Sequence, residues 1–569
     1  MSTTESPFGG FPEGPAGFGL PDGLPDENFL QELANQFFSA PLVSQELVPP
    51  APQGGAALSV PGSVAGSGIS PSAVNQGNSV DLADPQTSLP DPHFAGTGHV
   101  PASVAGSGVS PSYTGAGARQ AGPGSNVQWP FTSDAAYYFI TEKNHLINPR
   151  PEMPAYAALP AAPYDVNQVR RDFPILREYV NGRPLVWLDN AATTQKPQSV
   201  IDRISHFYQH ENSNVHRAAH ELAARSTDAY EGARGKVRQF LNAASSNEIV
   251  FVRGATEAIN LVAKSWGHQF LQPGDEIIVS HLEHHANIVP WQQLAAAKGL
   301  KLKVIPVDDD GQVLLDTYSG LLSNKTRLVS FTQVSNALGT VTPAEKMVAM
   351  AHAVGAKVLV DGAQAVSHMP VDVRSLDCDW YVFSGHKVFG PTGIGVLYGK
   401  EDLLNEMDPW QGGGNMIRDV TFEHTTYQQA PLRFEAGTGN IADAIGLGAA
   451  IDYVSGIGMH LISQYEHYLL EYATRLLKDI PGLRLIGTAP DKAGVLSFVL
   501  GGYRTEEVGT ALNQSGIAVR SGHHCAQPIL RRFGLESTVR PSLALYNTCS
   551  DIDALVSVLR RLRTARPGF

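Results

Sequence analysis

The sequence predicts an α/β protein in which a largely parallel sheet, covered on both faces, follows a long disordered arm. Three observations lead there. Glycine and proline crowd the N-terminal part, short apolar runs alternate with helix-like stretches from about residue 165 onward, and those apolar runs close on polar residues. Apolar strands separated by helices indicate a sheet buried on both sides, because each crossover lays a helix on one face.

The first 125 of the 569 residues hold 20 of the 56 glycines and 17 of the 39 prolines. They carry ten acidic residues against the single Arg119, a net of −9, which leaves −4 of the chain's −13 for the remainder. Such a composition cannot bury enough apolar surface to offset its backbone entropy, so residues 1–165 are expected to form a disordered targeting arm. Within it, residues 60–72 (VPGSVAGSGISPS) recur as 100–112 (VPASVAGSGVSPS), identical at eleven of thirteen positions. The repeat reads either as a duplicated low-complexity linker or as two docking motifs, which on one flexible segment raise avidity without new contacts; the near-identity of the copies favours motifs. Residues 26–38 set Phe29, Leu33 and Phe37 on one helical face, with Asp26 at the N-cap position. A helix this short is expected to fold only against a partner or the body. The stretch with Trp129, Phe131, Tyr137, Tyr138, Phe139 and Ile140 is expected to strap over the folded part, the alternative being a motif for a partner.

A polyanionic arm on a mildly acidic body argues against nucleic acid and anionic membrane surfaces as partners. No run approaches the length of a membrane span. The N-terminus, MSTTESPFGG, has no basic cluster or apolar region, so no export signal is expected. Cys378, Cys525 and Cys549 make no even disulfide framework, which indicates a reducing cytoplasm.

In chain order, 274–281 (GDEIIVSH), 301–307 (KLKVIPV), 326–334 (TRLVSFTQV), 357–364 (KVLVDGAQ) and 380–387 (WYVFSGHK) read as strands, and 344–354 as a helix. Ligands of open parallel sheets bind beyond the carboxyl ends of the strands. Asp361 closes one run, with Gln364 three residues on; Ser384, His386 and Lys387 close the next, and Gly390, Gly393 and Gly395 thin the surroundings of the lysine. Gly254, Ala255 and Thr256 precede the helix-like EAINLVAK. A turn of small residues opening a helix offers free N–H groups and the positive end of a dipole, which suits a phosphate. An acid, a lysine one strand away and a phosphate cradle together suggest pyridoxal phosphate. His281, Glu283, His284 and His285 lack the i, i+4 spacing of a helical zinc motif, so no metal is expected.

The motifs FVRGATEAINLVA, EHHANIVPW, VSNALGT, KVLVDGAQAV, YVFSGHKVFGPTGIGVLY, RFEAGTGN and VRSGHHCAQP stand in this order between about Phe173 and the C-terminus. In that order the chain resembles the SufS-type (group II) cysteine desulfurases of the class-V pyridoxal-phosphate-dependent aminotransferases. The resemblance implies the aspartate-aminotransferase superfold (PLP fold type I), with a large cofactor-binding domain over 185–455 and a small α+β domain from 166–184 and 456–569. It also implies a homodimer that takes sulfur from L-cysteine, releases L-alanine and leaves a persulfide on Cys525.

Carried over residue by residue, the resemblance makes Lys387 the Schiff-base lysine and general base, Asp361 the partner of the ring nitrogen, and Gln364 a donor to the phenolate oxygen. His284 would stack on the ring. Thr256, Ser384 and His386 would bind the phosphate, with Thr438 from the other subunit. Arg540 and Asn336 would hold the substrate carboxylate, while His216, Arg217 and Arg520 lie about the mouth of the site. The residues themselves agree in part: Cys525 follows Gly522, His523 and His524 on a short loop whose basic neighbours favour thiolate. A substrate carboxylate calls for the planar fork of an arginine. Cys378 and Cys549 read as structural. A short cysteine loop goes with a dedicated sulfur-acceptor protein in this family.

Two departures from the family pattern are Ala255, in place of a hydroxyl residue, and Gly439, in place of a proline. The larger one is the arm, which resembles the extensions that load desulfurases into family 2A encapsulin shells and so implies an encapsulin shell protein as partner of residues 1–125. Alternatives are a selenocysteine lyase or another pyridoxal-phosphate-dependent α-amino-acid lyase and, from another class, a recruitment or scaffold protein with vestigial catalysis.

Overall fold

The computed structural model describes residues 164–215 and 219–566, all of which belong to one compact unit. The arm with its repeats, helix and aromatic strap, together with His216 and Arg217, lies outside the described residues.

Seven strands build the main sheet: β1 (Ile249–Val252), β2 (Glu276–Ser280), β3 (Lys301–Ile305), β4 (Thr326–Thr332), β5 (Lys357–Asp361), β6 (Trp380–Ser384) and β7 (Gly395–Gly399), in the order β1-β7-β6-β5-β4-β2-β3. The five runs recognisable in the sequence are β2 to β6, which pair in parallel; β7 runs antiparallel to both β1 and β6. Side chains alternate between two apolar layers. Val358, Val360, Tyr381 and Phe383 enter one, and Leu359, Trp380 and Val382 enter the other. Both faces of the inner strands are therefore covered, which is why those read as apolar runs, whereas the edge strand β3 leaves Lys301 and Val304 exposed. Burying one such side chain contributes about 1.5–3 kcal/mol.

The helix Ala255–Val262 begins two residues earlier than its periodicity predicts, with Gly254 at its N-cap, and Ala344–His352 ends two residues earlier. Among the described residues no single helix is long and apolar enough to cross a membrane.

A second, antiparallel sheet joins β8 (Leu483–Leu485), β9 (Phe498–Leu500), β10 (Arg520–Gly522) and β11 (Thr538–Arg540) in the order β8-β9-β11-β10. The helices Met459–Lys478, Thr505–Gln514 and Cys549–Ala565 cover it through a third apolar cluster that includes Leu469, Leu512, Phe498, Val539 and Leu555. The N-terminal segment runs alongside: Val186–Trp187 pairs in parallel with Ile517–Ala518, and Asp189 bridges to Ser542.

Gly395 decides how closely the strand ends approach. It lies opposite Val252 on one side and Ser384 on the other, and a Cβ there would sit 2.5 Å from Gly254 Cα and 2.6 Å from the Phe383 carbonyl oxygen. Only a residue without a side chain lets the turn after β1 meet the turn after β6. Gly395→Ala is accordingly expected to lose about 1–3 kcal/mol, the cost of overpacking a tight core, as a lowered denaturation midpoint. A midpoint equal to that of the wild type would show that the two turns separate at no cost.

Candidate active site

The carboxyl ends of the parallel strands deliver polar groups to one edge of the sheet. Asp361 ends β5 almost fully buried; its Oδ1 accepts from Ala363 N at 2.9 Å. Burial pushes this carboxyl up and the Lys387 charge pulls it back. Ser384 ends β6, its Oγ accepting from Ala255 N at 2.9 Å, and one 3-10 turn, Gly385–Lys387, then sets Lys387 beside Asp361. Burial pulls the Lys387 amine down to about 8 against the opposing pull of Asp361.

After β2, His284 caps the turn His285–Asn287, its Nδ1 accepting from Ala286 N at 3.1 Å. The proton of the neutral ring therefore sits on Nε2, and burial, then Lys387, holds the imidazole down at about 3. Gln364 uses one N–H of its amide on the Ala191 carbonyl at 2.7 Å, fastening the N-terminal segment across the site. The carbonyl of His386 accepts from Thr194 N and Thr193 Oγ1, both at 3.0 Å, while burial, then the Lys387 and Lys196 charges, pull its imidazole down to about 4.

Thr256 lies exposed in the first turn of Ala255–Val262, where amides have no helical acceptor. A Cβ on Gly254 would come 3.1 Å from Ser384 Oγ, so the cradle is narrow. A buried acid, an amine held near neutrality, a flat neutral imidazole and a narrow helix-end cradle fit pyridoxal phosphate. Thr438 stands exposed and makes no side-chain hydrogen bond to this group.

Cys525 approaches from the second sheet, on the short connection between β10 and the helix Gln527–Arg532. His524 and Cys525 both adopt left-handed backbone, with φ of 53° and 54°. Such strain costs about 1 kcal/mol or more per residue and persists only where surroundings enforce it. Here His285 N donates to the Cys525 carbonyl at 2.8 Å and Asn336 Nδ2 to the His524 carbonyl at 2.7 Å. His524 Nε2 and Thr538 Oγ1 share a hydrogen bond of 2.8 Å, and Cys525 N donates to His523 Nδ1 at 3.0 Å. Asn336, expected to hold the substrate, thus spends one amide N–H on the cysteine loop, and its Oδ1 is buried without a partner. Cys525 lies close enough to act electrostatically on both Lys387 and Arg540.

Arg540 is fully buried. Its Nη1 donates to the Asn336 carbonyl at 2.9 Å, its Nη2 to Asp189 Oδ1 at 3.2 Å, and its Nε has no partner. Burial brings it down to about 10, so it remains a cation at neutral pH. Arg520, half-exposed, lies 3.3 Å from Asp189 Oδ2. Asp189 escaped the reading of the sequence; its signal is the polar residue closing the short run VWLD at 186–189.

The other cysteines stand apart from this edge. Cys378 is fully buried just ahead of β6, and burial raises its thiol pKa well above the usual range. Cys549 opens the helix Cys549–Ala565 with its Sγ 3.8 Å from the Tyr468 hydroxyl. Glu283 is buried on Asn287 Nδ2 and Thr332 N, and no metal-holding group of three or more His, Cys, Asp or Glu exists among the described residues.

Residues 186–555 match the family described as Aminotransferase class-V. The chain is 72% identical over 404 residues to a cysteine desulfurase of Synechococcus elongatus, a match covering 71% of this chain and 64% of that protein, less than two thirds of its length. It is 55% identical over 404 residues to a cysteine desulfurase of Dickeya dadantii, covering 71% of this chain and 98% of that one. Among solved structures, a cysteine desulfurase of Escherichia coli in its S-sulfonic acid form superposes with a TM-score of 0.66 at 42% identity, over 71% of this chain and 99% of the other.

The depressed amine of Lys387 has a direct consequence. Its neutral, nucleophilic form predominates above pH about 8, whereas an ordinary lysine requires pH above about 10.4. Reductive methylation of the apoprotein by formaldehyde, followed at Lys387 by peptide mass spectrometry, should reach half its maximal rate near pH 8. A midpoint near that of surface lysines would mean that solvent reaches the amine freely.

Proposed function

The chain belongs to the class-V aminotransferase family, and from that premise we propose that it is a pyridoxal-phosphate-dependent cysteine desulfurase of the SufS type, converting L-cysteine to L-alanine. The observation that carries this reading is the meeting of an amine, a thiol and a buried guanidinium at a single sheet edge, where Arg540 and Cys525 both act on the Lys387 amine and Cys525 acts on Arg540.

Lys387 would bond the cofactor, Asp361 would hold the proton of its ring nitrogen, His284 would stack on the ring and Gln364 would offer its remaining N–H to the phenolate oxygen. Ser384, Thr256 and His386 would bind the phosphate together with Thr438 of the partner subunit in a homodimer. When bound, pyridoxal phosphate supplies an electron sink that makes the substrate Cα proton removable and its Cβ–S bond breakable.

Arg540, with Asn336 beside it, fixes the substrate carboxylate, and Arg520 stands at the mouth. Lys387 Nζ removes the Cα proton and later returns a proton. The Cys525 thiolate attacks the substrate sulfur; an S–S bond forms as the Cβ–S bond breaks, that bond's electron pair stays with carbon, and protonation there completes alanine. The persulfide remains on Cys525, whose loop is short and clamped on both carbonyls. A clamped loop carries sulfur only a short way, which supports a separate sulfur-acceptor protein that comes to the site. A lyase for other amino acids would have no use for the strained Cys525, and a scaffold with vestigial catalysis none for a lysine held near pH 8.

The proposal extends to organisation and place. The division we propose is a large domain over 185–455 and a small one from 166–184 and 456–569; the third apolar cluster, drawn almost wholly from 469–559, supports the small one, although Val169, Phe173 and Ile462 pack with the main-sheet cluster. The duplicated motif and net charge of −9 in residues 1–125 support docking of the arm on repeated sites inside an encapsulin shell, in the cytoplasm.

The purified protein should absorb near ~420 nm, the region of a lysine-bound cofactor, and L-cysteine should shift that band as alanine appears. Cys525→Ala is expected to keep the band and lose alanine release by about 100-fold or more. A colourless protein that pyridoxal phosphate does not restore would overturn the assignment. Deleting residues 1–125 should leave alanine release intact and abolish co-purification with a co-expressed encapsulin shell protein; retained loading would reject that role of the arm.

A further inference from the structure

Strands β10 and β11 set two arginines directly opposite each other, for Arg520 and Arg540 are register partners. Like charges facing across an antiparallel pair repel. Each meets the same anion from outside the sheet: Arg540 Nη2 lies 3.2 Å from Asp189 Oδ1, and Arg520 Nη2 lies 3.3 Å from Asp189 Oδ2. The three side chains form a gradient from interior to surface, with exposures of 2% for Arg540, 13% for Asp189 and 48% for Arg520.

Asp189 is itself held in place. Its backbone bridges to Ser542, its carbonyl accepts from Ala192 N at 3.1 Å, and Leu188 before it is fastened to Ala518 and Ser542. With Nη1 tied to the Asn336 carbonyl and Nη2 to Asp189, the plane of the Arg540 guanidinium is set, and its buried Nε–H is left over. A buried donor without an acceptor is costly, so a ligand oxygen placed there is strongly favoured.

We propose that Asp189 is a positioning residue for the substrate carboxylate: by bridging Arg520 and Arg540 it cancels their repulsion and fixes the plane in which Arg540 meets that carboxylate. The inference rests on the reading of the site as one for an α-amino acid. Without the Asp189 charge, Arg540 faces an uncompensated like charge and loses one of its two restraints. Arg520, being at the surface, can turn into solvent; Arg540 cannot.

The test uses the holoenzyme and two probes, L-cysteine in turnover and L-alanine, which has the carboxylate but no sulfur, in a calorimetric titration. Asp189→Asn, of the same shape, should raise both the KM for L-cysteine and the Kd for L-alanine about tenfold, with kcat within about threefold of wild type. Adding Arg520→Gln should return both constants to within about threefold of those of Arg520→Gln alone, because the repulsion is gone. Unchanged or tighter binding in Asp189→Asn overturns the role, as does a joint loss of kcat and KM that Arg520→Gln does not relieve, the mark of a merely structural residue. A wild-type chain that binds no L-alanine overturns the amino-acid reading and this inference with it; a wild type that binds it, beside an indistinguishable Asp189→Asn, overturns the role of Asp189 alone.

Discussion

The inner strands of the main sheet are buried on both faces, so the polar groups open to a ligand gather at their carboxyl ends, while Ser330 within β4 is spent on Asn287. Ser384 and Asp361 close β6 and β5 at the same edge, and the turns after them deliver Lys387 and Gln364. Gly395 is the joint of this arrangement, since the antiparallel β7 enters between β1 and β6 with no room for a side chain. The cradle at Gly254 and Ser384 follows from that close approach. The chemistry is thus a by-product of how tightly two apolar layers pack around one sheet.

Desolvation at this edge treats each basic group differently. It brings Lys387 to about 8, Arg540 to about 10 and His284 to about 3. Just above neutrality the same dry environment therefore holds an amine close to its nucleophilic form, a guanidinium still charged and an imidazole without charge. No single group was tuned alone; their unlike intrinsic basicities let one physical effect assign three roles.

The cysteine loop shows the opposite economy. Left-handed backbone at His524 and Cys525 is unfavourable for residues with side chains, and the hydrogen bonds from Asn336 and His285 that hold it come from loops of the main sheet. The second sheet supplies the thiol, and the first sheet fixes where it points. Asp189 does for Arg520 and Arg540 what Asn336 does for the cysteine, reaching from a distant segment to settle a conflict between neighbours.

The sequence by itself determined β2 to β6, the alternation with helices and the polar residues at the strand ends, because each signal spans a dozen residues or fewer. An apolar run and the Asp361 or Lys387 that closes it are local features. Even Cys525 announces itself through its neighbours. Only the tertiary structure decided that β7 runs antiparallel, that Asn336 turns to the carbonyl of His524, 188 residues away, and that Asp189 bridges to Arg540 across 351. Those pairings have no local pattern, since what selects them is burial: a charge or amide withdrawn from water must find its partner wherever the folded chain supplies one.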